Sequence, residues 1–405
     1  MYTLLQINTV VNSGSHGRIA EEIGQTAINN NWKSYIAFGR NERSSQSELI
    51  KIGSDMEIKL HVLTTRTIDR HGFGSVNGTK KLIERIKEIK PDIIHLHNIH
   101  GYYINIEVLF NYLASANIPV VWTLHDCWPF TGHCYNFEIA GCNKWKTGCF
   151  ACPQKKVYPA SLFLDNSKKN YIDKQELFNS VKNLTIVPVS EWLNRLLDQS
   201  FLKNHTRQLI YNGINLNEFT PQNNSAEVRK LFGIDNKFMA LGVASNWKAR
   251  KGYEDFIALS KLTDENTAFV MVGVSKEEQK KLPSNIIGIC RTESVTKLAE
   301  IYSAADLFLN LTYEDNFPTT NLESLACGTP LLTYNTGGSV EAVSSDSGFI
   351  VNQGDLNGVI KIINAFKDNG KSSYTVACRN RAVALYDKND RYKEYLNLYH
   401  KILAK

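Results

Sequence analysis

The sequence has no long hydrophobic run and no strong excess of charge. No apolar stretch approaches the roughly 20 residues that a membrane-spanning helix needs. The N-terminal residues lack the basic lead, apolar stretch and small-residue cleavage site of a secretory signal. The net charge of +6, from 46 basic and 40 acidic residues, suits anionic small molecules or a membrane surface but is too small to indicate nucleic acid. We therefore expect a cytoplasmic protein that does not bind nucleic acid.

Short apolar runs alternate with amphipathic helical patterns along most of the 405 residues. The runs are rich in β-branched and aliphatic residues and mostly not interrupted by polar ones, which is typical of strands covered on both faces. They predict ten strands, at 3–8, 35–39, 92–97, 120–124 and 184–189, and at 238–244, 268–273, 286–290, 306–311 and 330–333. Alternating strands and helices indicate an α/β fold with doubly wound parallel sheets. The basic helix at 80–90 fits a solvated face better than a membrane-facing one.

The alternation of strands and helices starts again in the second half of the chain, which predicts two Rossmann-like domains facing across a cleft. We place an N-terminal domain at 1–210, with a cysteine-rich insertion at about 127–160, and a C-terminal domain at 211–385. A last helix at 386–405 is expected to cross back to the N-terminal domain.

Residues 314–328, EDNFPTTNLESLACG, combine a strand-to-helix turn with two acids. Pro318 suits the start of a helix over 319–326. A helix that begins at the carboxyl end of a strand attracts phosphate, and ionised carboxylates such as Asp315 and Glu323 accept hydrogen bonds from sugar hydroxyls. The same residues also fit a helix cap at Asp315 and a surface acid at Glu323.

Two loops that follow strands carry residues suited to phosphate. The loop after the first strand of the second domain contains Lys248, Arg250 and Lys251 before a glycine, and such cations could neutralise a diphosphate or simply be solvated. The loop after the first strand of the chain contains Gly14 and Gly17, which let the backbone approach an anion. It lacks a full G-x-G-x-x-G, so it is a weak dinucleotide fingerprint.

Histidines gather where two strands of the first domain end. His95, His97 and His100 lie at or just past one strand end, and His125 with Asp126 at another. Carboxyl ends of strands face the predicted cleft, so we expect at least one of these histidines to be functional. For any single one of His95, His97 and His100, a structural role is the stronger interpretation.

Four cysteines fall in one short stretch of the insertion: Cys134, Cys142, Cys149 and Cys152. In a reducing compartment this pattern fits a four-thiolate structural zinc site that holds the insertion in place. Packed thiols and disulfides are the alternatives. Nothing in the stretch points to a catalytic role.

With these residues in place, the chain resembles the family-4 retaining glycosyltransferases of the GT-B fold over essentially its full length. The segment HDCWPFTGHC and the cysteine-rich stretch resemble a subgroup from bacterial surface-polysaccharide gene clusters. The motifs that carry the resemblance are DIIHLHN (92–98), TLHD (123–126), SEWL (190–193), IYNGIN (210–215), RKG (250–252), LAEIYSAADLFLNLT (298–312) and EDNFPTTNLESLACGTPLLTYNTGGSVEAV (314–343).

The resemblance implies roles for the two acids and their neighbours. The acid–x7–acid motif of the family falls on Asp315, which would contact the donor sugar, and on Glu323, which would hold the nucleotide ribose. The first acid is Asp where the family usually has Glu, and Glu314 stands beside it. Further donor-binding positions fall on Asn316, Phe317, Pro318, Thr319 and Thr320.

The resemblance also implies the partners of the diphosphate and of the reacting sugar. Lys251 matches the lysine that binds the diphosphate. The usual arginine position falls near 245–246, so that Lys248 or Arg250 would substitute for it. His125 matches a histidine thought to support the donor sugar and its reacting centre, and Gly14 and Gly17 match the loop near the phosphates and the acceptor.

The activity implied is transfer of a sugar, with retention, from a nucleotide-diphosphate sugar to a saccharide acceptor. The acceptor would commonly be lipid-linked, at the inner face of a bacterial membrane that the enzyme touches peripherally. No metal or other catalytic cofactor is expected, because cations and a helix dipole would stabilise the leaving group. The alternatives are another GT-B enzyme, such as a phosphorylase or nucleotide-sugar epimerase, and a sugar-binding clamp without catalysis.

Overall fold

The protein, as a computed structural model, is described over residues 1–404 and forms two compact units. One unit comprises residues 1–211 together with the segment that starts at Arg391. The other comprises Asn212–Asp390.

The first unit is built on a seven-stranded parallel sheet, in the spatial order β3-β2-β1-β4-β5-β6-β7. All five positions of β5 are buried, which requires cover on both faces of the sheet. The strands are β1 (Thr3–Asn8), β2 (Lys33–Phe38), β3 (Glu48–Lys51), β4 (Ile93–Leu96), β5 (Val120–Leu124), β6 (Leu184–Pro188) and β7 (Thr206–Arg207).

Six helices of the first unit connect or flank these strands. The insertion between β5 and β6 contains, besides α5, only two short 3-10 helices, at Trp128–Phe130 and Lys144–Lys146. The six helices are α1 (Gly14–Asn29), α2 (Asp55–Ile68), α3 (Val76–Ile89), α4 (Ile106–Ser115), α5 (Ser167–Asn179) and α6 (Glu191–Asp198).

The second unit contains a six-stranded parallel sheet in the order β10-β9-β8-β11-β12-β13. Its strands are β8 (Phe238–Val243), β9 (Thr267–Val272), β10 (Ile286–Ile289), β11 (Leu307–Asn310), β12 (Leu331–Tyr334) and β13 (Gly348–Val351). Its helices are α7 (Ser225–Leu231), α8 (Tyr253–Leu262), α9 (Lys276–Gln279), α10 (Val295–Ala304), α11 (Thr319–Ala326), α12 (Leu356–Asn369) and α13 (Ser372–Tyr386).

The last helix, α14 (Lys388–Leu403), contributes to the core of the first unit. Tyr395 and Tyr399 are 1% and 0% exposed and share one apolar cluster with Leu4, Ile93 and Val121 of three sheet strands. Burying two aromatic rings of this size contributes substantially to stability, at about 25 cal/mol for each Å² of apolar surface.

All ten strands predicted from the sequence are present, and the prediction of doubly wound parallel sheets is confirmed. Three strands were missed: β3, β7 and β13. Each lies at the edge of its sheet, where one side of the strand has no neighbour. The residues of β3 are therefore mostly exposed, and a short, partly polar segment gives no continuous apolar run to recognise.

The helix predicted over 80–90 corresponds to residues 80–89 of α3, whose apolar side chains Leu82, Ile83 and Ile86 are buried. The charged side chains of α3 therefore lie on its outward face, which agrees with the interpretation that this face is solvated. Over residues 1–404, no helix combines the length and the apolar composition that crossing a bilayer requires.

Candidate active site

Each sheet has a point where the strand order reverses. β1 lies between β2 and β4, and β8 lies between β9 and β11. In doubly wound folds, ligands bind outside the carboxyl ends of the strands at this point. The residues that follow β1 and β4, and those that follow β8 and β11, are therefore the candidates for contact with a ligand in the respective unit.

In the second unit, the loop after β8 packs against the segment after β11. Gly252 has a φ of +72°, and a Cβ at this position would lie 2.3 Å from the carbonyl oxygen of Leu311. The Tyr313 N–H donates to the Arg250 carbonyl over 2.8 Å, and Thr312 Oγ1 donates to the same carbonyl over 3.2 Å. Only glycine allows both the left-handed backbone and this close approach.

Two of the three predicted cations of this loop contact the acidic segment. Lys251 Nζ forms an ion pair with the carboxylate of Asp315. Arg250 Nη1 donates to the carbonyl of Glu314 over 2.7 Å. Lys248 is exposed and lies outside this pairing. The two side chains of the Lys251–Asp315 pair remain 22% and 17% exposed, so a ligand can reach them from solvent.

The helix predicted over 319–326 is confirmed, since α11 spans Thr319–Ala326. Pro318 is its N-cap residue rather than its first helical residue. Before the helix, Asn316 and Phe317 are buried, whereas Thr319 and Thr320 at its start are half-exposed.

Glu323 is buried, with 3% exposure, so the interpretation that it is a surface acid is wrong. The hydroxyl of Tyr302 on α10 donates to Glu323 Oε2 over 2.9 Å. A buried carboxylate is costly unless it is hydrogen-bonded, so this contact helps to keep the acid in place. Tyr302 was not predicted from the sequence, because a contact between residues 21 positions apart on different helices leaves no local pattern.

A buried polar network fixes the position of α11. Asn310, at the end of β11, donates through Nδ2 to Asn321 Oδ1 over 2.7 Å. Asn321 Nδ2 in turn donates to the carbonyl of Ser339 over 3.1 Å and to its hydroxyl over 3.0 Å. Since buried amides need such partners, the network sets the register of α11 against the sheet.

In the first unit, Gly14 and Gly17 lie at the start of α1, directly after β1. Gly14 has a φ of +64°, which favours glycine. A Cβ on Gly17 would lie 2.9 Å from Val10 Cγ2. Both glycines therefore shape the turn that leads from β1 into the helix.

The histidines at the carboxyl ends of β4 and β5 lie together. His97 Nδ1 is 3.3 Å from His125 Nε2, and the rings of His95 and His97 are 4.1 Å apart. His95 Nε2 lies 2.8 Å from Thr123 Oγ1, and its Nδ1 lies 2.7 Å from the hydroxyl of Tyr399. Burial lowers the pKa of His95, His97 and His125 well below the ordinary value, so that all three are neutral near pH 7.

Asp126, which follows β5, pairs with His100, which follows β4. Its Oδ2 lies 2.7 Å from His100 Nε2, and its Oδ1 accepts from the Trp128 N–H over 2.9 Å. Burial alone would raise the pKa of Asp126, but His100 and the Trp128 N–H outweigh it and hold this pKa below its ordinary value.

The four cysteines of the insertion share one small cavity of about 10 Å³, which Cys134, Cys142, Cys149 and Cys152 all line. Cys149 Sγ accepts from the Gly132 N–H over 3.2 Å. Within the described chain, no group of three or more His, Cys, Asp or Glu side chains is arranged closely enough to hold a metal ion. The thiols thus converge on one place without forming a finished tetrahedral site, and the zinc hypothesis stays a prediction.

The structure therefore forms two groups from the predicted residues. Lys251, Arg250, Asp315 and Glu323 lie on the second unit, whereas Gly14, Gly17 and His125 lie on the first. Asn8 and His16 also lie in the group on the first unit, although neither was predicted from the sequence. Nδ1 of His16 is 2.8 Å from Asn8 Oδ1.

Comparison with known proteins agrees with this architecture. Residues 36–218 match the family model described as Glycosyltransferase Family 4, and residues 224–382 match the model described as Glycosyl transferases group 1. The fold is similar to that of Anabaena HepE in complex with UDP-glucose, with a TM-score of 0.69 at 15% identity, covering 98% of this chain and 100% of that one.

Two curated relatives are also similar in sequence. The chain is 21% identical over 414 residues to the Escherichia coli K12 protein named "Putative colanic acid biosynthesis glycosyl transferase WcaC", covering 98% of this chain and 100% of the relative. It is 27% identical over 202 residues to N,N'-diacetylbacillosaminyl-diphospho-undecaprenol alpha-1,3-N-acetylgalactosaminyltransferase of Campylobacter jejuni, covering 47% and 53% respectively.

The two matching models and the two parallel-sheet units define an enzyme, a glycosyltransferase of the GT-B fold. Within that class, the chain belongs to the family-4-like glycosyltransferases, whose two models together match most of its length.

Proposed function

We propose that this enzyme transfers a sugar, with retention, from a nucleotide-diphosphate sugar to a lipid-linked saccharide in bacterial surface-polysaccharide synthesis. The observation that carries the proposal is the Lys251–Asp315 ion pair beside the N-terminus of α11. It brings a cation suited to a diphosphate and an acid suited to sugar hydroxyls to one place, outside the carboxyl ends of β8 and β11.

The second unit would hold the donor. Pro318 offers no side-chain cap to α11, so the first N–H groups of this helix and its positive dipole end are suited to an anion. Glu323, one turn into the helix and bonded to Tyr302, is an acceptor for ribose hydroxyls. The complex of HepE with UDP-glucose supports a nucleotide sugar as donor.

Asp315 would change partners when the donor binds. The Lys251 side chain forms an ion pair with the Asp315 carboxylate. A diphosphate carries more charge than one carboxylate and would attract Lys251, which leaves the Asp315 oxygens available to accept from the sugar. The pair thus holds both side chains in place before the donor arrives.

This site would promote the reaction by stabilising the nucleotide diphosphate as it leaves the sugar. Lys251 and the α11 N-terminus act on the charge that develops as the bond to the anomeric carbon breaks. Retention then requires the acceptor hydroxyl to attack from the face that the diphosphate leaves, with a phosphate oxygen accepting its proton. We propose that the reaction needs no divalent metal at the donor site, so that transfer is equally fast with and without added Mg²⁺ or Mn²⁺.

The acceptor would be lipid-linked, as the name of the Campylobacter relative states for that protein. The first unit carries an exposed apolar patch suited to a membrane surface: Met56, Leu60 and Leu63 on α2, with Leu162, Phe163 and Leu164, each between 52% and 70% exposed. The helix α2 and the segment 162–164 are in contact, because the Leu162 N–H donates to the Arg66 carbonyl over 2.7 Å.

The helix α2 that carries half of this patch also carries the exposed cations Lys59 and Arg66, and Lys156 is exposed in the segment that leads to Leu162. An apolar face edged by Lys and Arg suits the interface of a bilayer that contains anionic lipids. We propose that this patch holds the enzyme at the inner face of the membrane. Leu63→Glu and Phe163→Glu are expected to abolish sedimentation with phosphatidylglycerol vesicles, whereas Val376→Glu, at a site 66% exposed on the second unit, leaves it intact.

The transfer itself is tested with Lys251→Ala. Loss of a charged hydrogen bond, worth about 1.5–3 kcal/mol, is expected to weaken nucleotide-sugar binding by about tenfold to a hundredfold. The matched control is Lys367→Ala, which breaks another lysine–aspartate pair of the same unit, at 2.7 Å to Asp264, and is expected to leave binding unchanged.

The product distinguishes the alternatives. Sugar phosphate released only when phosphate is added would indicate a phosphorylase, and an isomerised nucleotide sugar an epimerase. Wild-type protein that binds a nucleotide sugar but neither transfers nor hydrolyses it, with Lys251→Ala binding equally well, would contradict the proposed function.

A further inference from the structure

His16 lies in the first turn of α1, where the chain leaves β1. Its ring is half-buried and stands 5.9 Å, centre to centre, from the ring of His125. It is thus part of the polar group at the carboxyl ends of β1, β4 and β5, next to the strand reversal of the first sheet.

The amide of Asn8 has only one orientation that satisfies its partners. Its Nδ2 donates to the carbonyls of Val10 and His16, over 3.1 and 3.2 Å. Its Oδ1 accepts from the backbone N–H of Thr9 over 2.9 Å. Carbonyls only accept and backbone N–H groups only donate, so a flipped amide would lose all three bonds.

The fixed amide decides which nitrogen of His16 carries the proton. Nδ1 of His16 lies 2.8 Å from Asn8 Oδ1, and an amide oxygen is an acceptor, so Nδ1 must be the donor. A neutral imidazole has one N–H, which leaves the lone pair on Nε2. Among residues 1–404, no side chain or backbone group donates to this Nε2, and the atom is not sealed from solvent.

The surroundings keep this ring neutral. His100, Asp126 and Arg40 act on it by charge, and His97 and His125 lie in the same group. Burial is the largest effect and, with His100 and Arg40, lowers the pKa of His16 to about 4 against the opposing effect of Asp126. At pH 6–8 the Nε2 lone pair is therefore available.

We propose that His16 accepts a hydrogen bond through Nε2 from a hydroxyl group of the saccharide acceptor, with Asn8 holding the required tautomer. An uncharged acceptor atom that solvent can reach and that no protein donor uses is suited to a sugar hydroxyl. The inference rests on the proposed function, because it names a residue for the acceptor of that reaction. A merely structural His16 would need only its Nδ1–H bond to Asn8.

Two amide substitutions separate these roles. In His16→Asn the side-chain amide can occupy the place of Nδ1, and in His16→Gln it can reach the place of Nε2. We expect the KM for the acceptor to rise about three- to tenfold in His16→Asn, the size of one neutral hydrogen bond. In His16→Gln it is expected to stay within about twofold, and the KM for the donor should be unchanged in both.

A direct readout does not depend on turnover. ¹⁵N NMR of histidine-labelled protein is expected to show His16 with the proton on Nδ1, and acceptor saccharide is expected to shift the Nε2 resonance. If His16→Asn keeps the wild-type KM for the acceptor while His16→Gln loses it, or if the proton is on Nε2, the inference is wrong. A wild type that transfers no sugar would instead overturn the proposed function, and this inference with it.

Discussion

Nδ1 of His97 lies 3.3 Å from Nε2 of His125, and a residue on another strand decides the direction of this contact. Gln6 Nε2 donates to the Ala20 carbonyl over 2.8 Å, so its Oε1 faces His97 Nε2, at 2.9 Å. His97 must therefore donate from Nε2 and accept at Nδ1. Because Nδ1 of neutral His97 is an acceptor, the facing Nε2 of His125 must be the donor and must carry the proton.

Gln6→Met removes the acceptor for the His97 Nε2–H. We therefore expect that His97 and His125 are no longer held in single tautomers. We expect kcat for sugar transfer to fall about tenfold, the equivalent of one buried hydrogen bond of about 1.4 kcal/mol. ¹⁵N NMR should show His125 protonated on Nε2 in the wild type and mixed in the variant. Gln25→Met on α1 is the control, and a wild type with His125 protonated on Nδ1 would contradict the assignment.

Gly252→Ala is expected to damage the donor site through contact rather than through backbone strain alone. A Cβ at 252 would lie 2.3 Å from the Leu311 carbonyl, whereas one at Gly233, with a similar φ of +66°, would meet nothing within 4 Å. Gly233→Ala should therefore cost only the strain of a left-handed alanine, about 1–2 kcal/mol. Calorimetry should show a larger loss for Gly252→Ala, with weaker donor binding. Equal losses of stability in Gly252→Ala and Gly233→Ala would contradict this prediction, because backbone strain alone would then explain both.

Tyr302→Phe is expected to leave Glu323 without its hydroxyl partner. The free energy of unfolding should fall by about 1.5–3 kcal/mol, as for hydrogen bonds to charged groups, and donor binding should weaken. Tyr334→Phe removes a comparable bond, of 2.7 Å to Asp255 on α8, and is expected to lose stability but keep donor affinity. Urea unfolding and donor titration measure the two quantities. Unchanged donor affinity in Tyr302→Phe would exclude a link between this bond and ribose binding.

Stability is expected to fall as the pH drops from 7.5 to 5, partly because of His61. Its Nε2 accepts from the N–H groups of Gly72 and Gly74, over 3.1 and 3.2 Å, and burial lowers its pKa to about 4. The unfolded chain, with a histidine pKa near 6.5, binds the proton first, so stability is lost below that pH. For these two pKa values the loss at pH 5 is about 2 kcal/mol.

His61→Gln can keep an acceptor near the place of Nε2 and removes the titration. Urea unfolding at pH 7.5 and pH 5 should therefore show a smaller pH dependence in the variant, by about 2 kcal/mol. His133 opposes the trend, because its contact with Asp69 raises its pKa despite burial. An unchanged pH dependence in His61→Gln would show that His61 does not contribute.

The cysteine spacing of the insertion predicts bound zinc, and the four thiols line one cavity. Freshly prepared protein in chelator-free buffer is expected to contain about one zinc per chain, because four thiolates suit a structural site. Cys142→Ser and Cys149→Ser should lose the metal and lower the melting temperature. Cys290→Ser, on the second unit, should retain it. Less than about half an equivalent in the wild type would favour packed thiols.

The sequence predicted the elements of the interior well and the contacts between them poorly. The ten predicted strands are apolar runs whose burial is visible residue by residue, and Thr319–Ala326 is marked by Pro318 and Gly328. Gln6, Asn8 and Tyr302 left no such mark. Their roles depend on which nitrogen or hydroxyl faces which partner after the strands are aligned, and a linear pattern does not encode that geometry.

The last helix bears on how the enzyme is made. Tyr399 contacts His95, and the Thr123 hydroxyl donates to that of Tyr395 over 3.1 Å. Both tyrosines follow the second unit in the chain. Because synthesis starts at the N-terminus, about 180 residues of the second unit are made before α14. The histidine group of the first unit gains its contacts with Tyr395 and Tyr399 only after that. A ribosome that stalls within the second unit would release a chain without these contacts, so a truncated product should be inactive even where its sheet has formed.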